Sequence, residues 1–555
     1  MKPYSIVLGR NWKTGGAVTL PLSQLTHGHL MGMTGYGKSS LMKSIVVQHI
    51  SQGGCVSILD PAGDISYDVM RRLVATGFYE KHPDAFERFV YLDIQRADNE
   101  QRYLPFNILS SDYGPYTAAN LVLEAFKRVW VALQDGTSTN IELLVKMASF
   151  VASYHNLPLI PYLQHILARP AFRQQILSLT DDAYIREGFA DLGIITKDGK
   201  IADIVQTTMK RGYLLAFAPV VRYALAQREN ILNFGDLLRA NRSVALNLHI
   251  ADPDSKRLIG CLFTVQVEEV AKAWDSRNKR DTPYILMIDE MQNFVAQSGQ
   301  ALDGMFAEAR RAGVFVFVAH QYWEQIPPDL RAALSQCGIL GTFQVGHEDA
   351  MINTGHLKFP IYDRWTKPTP FDPSSPLGRE QYYNEDEQRK NYTRIIENLP
   401  EREAFIRLPH GGFYRMETLE VPKHADEERV REVEDEYLRL YFRSKAEVEN
   451  EQERYIAELE ARFNAAARGS ATPPSNSLRQ AERHTPPPQQ PEQRDTKDAS
   501  SKAPPIPALK NQKTQVPPKP VEQATVGLPF VKPIVWDDEL SFDVTDIIIP
   551  GDDDE

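Results

Sequence analysis

Along most of the chain, short runs of consecutive apolar residues alternate with longer stretches in which apolar positions recur every three or four residues. The continuous runs fit strands buried on both faces and the longer stretches fit helices, so the pattern predicts a parallel α/β sheet over about residues 4–422. The clearest strands are expected at 29–31, 56–59, 89–92, 244–249, 285–288, 314–319 and 340–344. Between 109 and 233 the strand signal stops, and stretches such as 118–133 and 140–154 take helical spacing; this predicts an all-helical insertion between two strands. Beyond 422, Val430, Val433, Tyr437, Leu440, Tyr441, Val448, Tyr455, Leu459 and Phe463 recur at helical spacing in a charged background. One long helix or a helical hairpin is expected there, either packed back on its own core or offered to a partner as a coiled coil.

Composition narrows the class. At 555 residues, 42% hydrophobic and 24% charged, the chain is neither wholly disordered nor collagenous. Its three cysteines, Cys55, Cys261 and Cys337, lack the Cys-x-x-Cys spacing of a zinc or redox site; they read as buried small hydrophobes in a reducing compartment. No apolar run reaches the roughly 20 residues that cross a bilayer, and the N-terminus lacks a signal-peptide pattern, so a cytoplasmic location is expected. Residues 471–535 hold 14 of the 37 prolines with many Gln, Ser and Lys, the composition of an extended linker. The last 20 residues carry nine acids and no base, and setting those nine aside takes the net charge from −11 to −2. Acids interleaved with Trp536, Leu540, Phe542 and 547–549 on a long tether predict a docking motif for a protein partner. A near-neutral body argues against a wholly basic nucleic-acid coat, though not against a basic channel formed on assembly.

The candidate chemistry starts at Gly32-Met33-Thr34-Gly35-Tyr36-Gly37-Lys38-Ser39, a complete G-x-x-x-x-G-K-[ST] between a predicted strand and a predicted helix. The glycines let successive N–H groups point inward at phosphate oxygens, and the helix start adds its dipole. Residues Gly32 to Ser39 with Ser40 are therefore expected to bind ATP, Lys38 reaching the β- and γ-phosphates and Ser39 supplying a hydroxyl to Mg²⁺. The run ending in Asp289-Glu290 supplies a second expected Mg²⁺-shell group, Asp289, and a base, Glu290, that polarises the attacking water. The strand ending in His320-Gln321 places Gln321 to sense the γ-phosphate or that water. Arg310 and Arg311 before it read as a structural pair in cis or as a finger for a neighbouring subunit's site. Asp60-Pro-Ala-Gly63-Asp64 reads equally as a group orienting Mg²⁺ waters or as turn chemistry, and His27 and His29 as structural.

The expected organisation is a first part of the P-loop ATPase domain at 1–108, the helical insertion at 109–233, the second part of the ATPase domain at 234–422, a charged helical segment at 423–468, a disordered linker at 469–535 and the acidic docking motif at 536–555. Together, the P-loop, the Asp60 turn, Pro105-Phe-Asn107, 285–290 and Ala309-Arg-Arg-x-Gly with Ala319-His-Gln321 resemble the HerA/FtsK superfamily, most closely the conjugative coupling proteins of TraG and TraD type in type IV secretion and the HerA-like DNA translocases. The resemblance implies a RecA-like fold with an all-α insertion and a ring, usually a hexamer, with ATP between subunits and DNA through the centre. It also implies that Lys38, Ser39, Asp289, Glu290 and Gln321 are nucleotide and catalytic residues, with Arg310 or Arg311 as the finger. Membrane-anchored coupling proteins usually begin with transmembrane helices, whereas this chain reaches its P-loop strand almost at once. A soluble form, one recruiting a separate membrane partner such as a secretion component, or a HerA-like motor with no secretion role is expected. The reading is thus an ATP-driven DNA translocase; its rival is an ATP-gated assembly protein that recruits substrates through its acidic tail. Lys210, Arg211, Lys256 and Arg257 are candidate pore contacts, with a solvated charged face as the alternative.

Overall fold

The computed structural model describes residues 4–110, 114–129, 139–195, 206, 208–210, 212–213, 216–274, 282–294, 305–306, 308–362, 383–420, 422 and 425–467. The chain divides into a unit comprising 1–463 with 532–555 and a unit of 464–531. Of the second, only the end of a helix is described; the 469–535 linker, the 536–555 motif and Arg211 lie outside the described residues.

Every strand expected from the continuous apolar runs lies in one parallel array. These are β3 (Gly28–Met31), β4 (Cys55–Asp60), β5 (Phe89–Asp93), β7 (Ser243–Asn247), β8 (Tyr284–Ile288), β9 (Val314–His320) and β10 (Ile339–Thr342), numbered along the chain with the strands given next. Side chains alternate between two cores: Val56 and Ile58 enter one, Cys55 and Leu59 the other. Burial on both faces is why these strands read as unbroken hydrophobic runs. The array is α/β and mostly parallel, consistent with a RecA-like P-loop fold.

Four further strands extend the array antiparallel: β1 (Ser5–Asn11), β2 (Ala17–Pro21), β11 (Glu403–Arg407) and β12 (Phe413–Thr418). The order of the 11-stranded sheet is β2-β1-β12-β11-β10-β3-β9-β8-β4-β7-β5. The extension mixes buried with half-exposed positions and has no continuous apolar run to announce it. The expected run 340–344 ends early, at Thr342, because Phe343 turns beneath Gly32 and Gln344 accepts from Met33 N at 2.8 Å.

Helix α1 (Lys38–Ser51) is buried on most sides, and its Gln48 amide both accepts from Val7 N at 2.9 Å and donates to Val7 O at 2.8 Å. Helix α2 (Asp64–Ala75) covers the same face. Against the other face lies the Pro253–Ala273 helix, opened by Asp252 accepting from Ser255 N at 2.9 Å. The helices described between β6 (Arg102–Tyr103) and β7, including Pro115–Val129 and Thr139–Tyr154, continue that second core. Arg128 stitches them to the long helix, with Nη1 donating to Thr264 Oγ1 at 3.0 Å and Nη2 to Glu268 at 2.7 Å.

Of the two forms expected for the C-terminal segment, one long helix is not what forms: it is two helices, Glu427–Tyr441 and Lys445–Ala467, separated by β13 (Arg443–Ser444), which pairs with β6. Burial of Phe442 and this strand pairing outweigh helix continuation. The first helix buries Val430, Val433 and Tyr437 against β5 and α2, and Tyr437 Oη donates to Phe89 O. The second lies along the insertion helices. Its Arg462 donates to His155 Nδ1 at 2.8 Å, and Arg228 stacks 3.7 Å from the Tyr455 ring. The three cysteines are buried and unbridged. Among the described residues no helix is long and apolar enough to cross a membrane.

Candidate nucleotide-binding site

A parallel sheet brings the carboxyl ends of its strands to one edge, which is where open α/β folds place ligands. At that edge β3 runs into Gly32, whose N–H donates to His320 O at 3.3 Å. Gly35 and Gly37 take φ of 88° and 107°, the left-handed region that glycine enters without steric cost. At Gly32 the constraint is space: a Cβ would stand 2.5 Å from Phe343 Cβ. Met33, Thr34 and Gly35 are exposed at the tip, Tyr36 is half-buried, and Lys38, Ser39 and Ser40 form the first turn of α1. Lys38 folds back so that its Nζ donates to Gly32 O at 2.6 Å and Met33 O at 3.1 Å. Burial holds its pKa below the usual lysine value, while Glu290 and Asp289 act in the opposite direction.

Asp289 follows β8, on the far side of β9 from the P-loop strand, and its N–H donates to Leu59 O at 3.1 Å. The side chain is 4% exposed and its Oδ1 is buried without a hydrogen-bond partner. Burial first, then the nearby Asp60 and Glu290 charges, push its pKa up to about 7 against the pull of Lys38. Glu290 adopts a left-handed backbone at φ 43°, strained for a residue with a side chain. Its Oε1 accepts from Gln321 Nε2 at 3.0 Å and its Oε2 from Gln292 Nε2 at 2.5 Å. The turn after β8 and the end of β9 thus join Glu290 and Gln321 directly, a contact that strand ends 31 positions apart in sequence do not announce.

A divalent cation fits the chemistry of two donors at this edge: a buried carboxylate oxygen lacking a partner on Asp289 and a half-buried serine hydroxyl in the first turn of α1. Asp60 does not join it. Its Oδ1 accepts from Gly63 N at 2.8 Å and Ala62 N at 3.2 Å, and its Oδ2 from Ser66 N and Oγ at 2.8 Å each. Those bonds are turn and helix-start chemistry.

Of the other sequence candidates, the paired arginines lie away from this edge. Arg310 and Arg311 are exposed at the amino end of β9, roughly 20 Å along the strand from Gln321. Arg311 pairs with Glu308 at 2.7 Å. Neither arginine reaches the P-loop of its own chain. Lys210 is exposed, Arg257 is half-buried, and Lys256 donates to Pro61 O at 2.9 Å. His27 accepts from Val316 N at 2.9 Å. His29 stacks on His320 with Nε2 atoms 2.7 Å apart, directly beneath the P-loop.

Sequence reasoning passed over Phe343, Arg402 and Thr418, which wall the side of the P-loop facing β11 and β12. A Cβ at Gly37 would lie 3.0 Å from Arg402 Cα, 3.1 Å from Phe343 Cε1 and 3.4 Å from Thr418 Oγ1. No local motif marks them; they arrive through the antiparallel extension.

No family model matches the chain, and no curated protein matches it. Among solved structures the chain is similar to VirB4 of Thermoanaerobacter pseudethanolicus, with a TM-score of 0.47 and 13% identity over 75% of this chain and 96% of that one. It is also similar to the bacterial conjugative coupling protein TrwBdeltaN70 in an unbound form, with a TM-score of 0.45 and 13% identity over 73% and 90% of the two chains. The plasmid coupling protein TrwB in complex with ADP and Mg²⁺ gives 0.45 and 14% over 71% and 85%. The strand order and the site geometry themselves give an α/β arrangement in which the G-x-x-x-x-G-K-[ST] loop, the paired acids and Gln321 share one edge of a mostly parallel sheet.

Proposed function

We propose that the chain is an ATP-hydrolysing motor that assembles into a ring, of hexameric size, and moves DNA in conjugative or other mobile-element transfer. The observation that carries the ATPase reading is the unpartnered carboxylate of Asp289 beside the bonded Glu290–Gln321 pair, both acids close enough to Lys38 to influence its ionisation. In this reading the N–H groups from Gly35 to Ser40 hold the phosphates, and Lys38 leaves the Gly32 and Met33 carbonyls for the β- and γ-phosphates. Ser39 and Asp289 hold Mg²⁺, which when bound neutralises charge on the phosphate oxygens. Glu290 Oε1 accepts the proton of the attacking water, and Gln321, already donating to that oxygen, orients base and water together.

Arg310 or Arg311 serves the site of a neighbouring subunit, a role that fits the exposure of both and their distance from their own P-loop. The ring and the DNA rest on the motif resemblance, with the acidic tail docking a protein partner and a secretion-system component supplying any membrane contact. The acidic and apolar composition of 536–555 favours a second reading, an ATP-gated recruiter that does not move along DNA.

Hydrolysis by the purified chain with and without single- and double-stranded DNA, Lys38→Ala serving as blank, tests the proposal. A several-fold rise on DNA that deletion of 470–555 leaves intact is the motor's signature. Hydrolysis indifferent to both DNAs, at concentrations where rings form, sinks the motor in favour of the recruiter.

A further inference from the structure

The antiparallel extension does more than lengthen the sheet. Because β11 runs against β10, with Thr342 opposite Phe405, its amino end returns to the edge where Met31 enters the P-loop. There Arg402 N donates to Tyr36 O at 3.1 Å, and Thr418 N donates to Arg402 O at 2.9 Å. A Cβ on Gly37 would be 3.0 Å from Arg402 Cα, which puts the two Cα atoms no more than about 4.5 Å apart, given a C–C bond of about 1.5 Å. Arg402 holds φ at 69°, a conformation that L side chains rarely adopt. The chain therefore keeps a strained arginine, rather than glycine or asparagine, in contact with the phosphate loop.

Its guanidinium is held loosely. Nη2 donates to Thr418 O at 2.8 Å, Nη1 to Glu420 at 3.1 Å, and Glu417 stands 3.9 Å away. Nε is buried without a partner. Glu420 is 55% exposed and Glu417 39%, so both ion pairs are of the solvated kind that contributes little and is readily exchanged. An extended arginine side chain carries its fork roughly 7 Å from Cα, far enough to cover the start of α1. The acids and Gln321 come from β8 and β9 on one flank of β3, whereas Arg402 comes from the opposite flank. A nucleotide whose γ-phosphate faces Glu290 turns its α-phosphate and nucleoside toward Arg402.

We propose that Arg402 is a nucleotide-binding residue in cis, whose guanidinium exchanges Glu420 for the α-phosphate of a nucleotide seated on the P-loop. The inference rests on the nucleotide-binding reading above. It adds a contact common to nucleoside di- and triphosphates, distinct from the γ-phosphate machinery.

Calorimetric titration of the full chain with ADP and with a non-hydrolysable ATP analogue, both with Mg²⁺, tests it. Arg402→Asn removes the charge while tolerating the left-handed backbone, and Arg402→Lys keeps the charge without the fork. The expected result is that Arg402→Asn weakens both ligands by the same factor, about ten-fold or more, with Arg402→Lys intermediate. KM for ATP should rise with little change in kcat, and the melting temperature of the nucleotide-free protein should not move. Unchanged affinities in Arg402→Asn overturn the inference and leave the ATPase reading standing. Weakening confined to the triphosphate overturns the α-phosphate assignment. Equal loss in both variants with a fall in melting temperature overturns the contact in favour of a purely structural arginine. No binding by the unmodified chain overturns the nucleotide reading itself, and Arg402 with it.

Discussion

Acidification should weaken the protein from beneath its phosphate loop. His320 Nδ1 lies 3.1 Å from Tyr322 O, an acceptor, so that nitrogen carries the hydrogen and Nε2 is left to accept from His29 Nε2–H at 2.7 Å. Trp323 closes the pair edge-on against both rings. The titratable and charged groups acting on the pair from outside, His356 on His29 and Lys38 and Arg331 on His320, are all basic. A proton added to His320 Nε2 would set N–H against N–H in a dry, electropositive place. Burial, opposed by the Tyr322 carbonyl, accordingly lowers the His320 pKa from 6.5 to about 4, and His29 is driven down with it. The folded value is the lower one, so between pH 6.5 and 4 the unfolded chain binds more protons. Stability is lost as pH falls through that window and levels off beneath it. For His320 alone the loss by pH 5 is about 2 kcal/mol, and His29, whose pKa is lowered as well, adds to it in the same direction. His27, His155 and His165 titrate low as well, so the measurement is a difference. Urea midpoints followed by tryptophan emission at pH 7.5 and 5.0 are compared for the unmodified chain and for His320→Gln, which keeps a donor and an acceptor. The variant should be less pH-sensitive by about 2 kcal/mol. Equal sensitivity in the two proteins would refute the argument that its buried place holds His320 neutral.

Gly32→Ala drives a Cβ to 2.5 Å from Phe343 Cβ. It should destabilise the chain by about 1–3 kcal/mol and abolish nucleotide binding, both readable from melting with and without ATP. Gln321→Ala removes one of the two side-chain hydrogen bonds to the Glu290 carboxylate; hydrolysis should fall at least ten-fold while ATP affinity is kept, as single-turnover kinetics and titration would reveal. Arg128 is 2% exposed and ties an insertion helix to Thr264 and Glu268 of the Pro253–Ala273 helix. Arg128→Ala should cost about 3 kcal/mol, near the low end for a broken buried pair because Lys272 remains 2.6 Å from Glu268, and denaturant midpoints measure it.

The seven parallel strands could be read from the sequence because a strand buried on both faces must be apolar at nearly every position. β4, buried at all six, is the clearest case. The P-loop was legible for a similar reason: its glycines, lysine and serine meet local demands of backbone and charge. The antiparallel strands were not. β12 keeps four of its six positions half-exposed, and with one side of a strand open to water the hydrophobic pattern thins to a signal shared with loops. The C-terminal periodicity predicted helix correctly at Val430 to Tyr437, yet Tyr441 and Val448 belong to different helices. The break at Phe442 is set by pairing with β6, more than 300 residues earlier.

What the sequence determined by itself is whatever the chain must satisfy locally: buried strands, a phosphate loop, and acids and a glutamine at strand ends. Tertiary structure alone decided which of those groups meet. It bonded Gln321 to Glu290, used up Asp60 in its own turn, left Asp289 with an unpartnered oxygen, and sent Arg310 and Arg311 to the opposite edge. It also carried Arg402 from nearly 370 positions away to the flank of the P-loop. Strand order and direction are cooperative outcomes of packing, so which polar ends share an edge is a property of the sheet, which no segment of it carries alone.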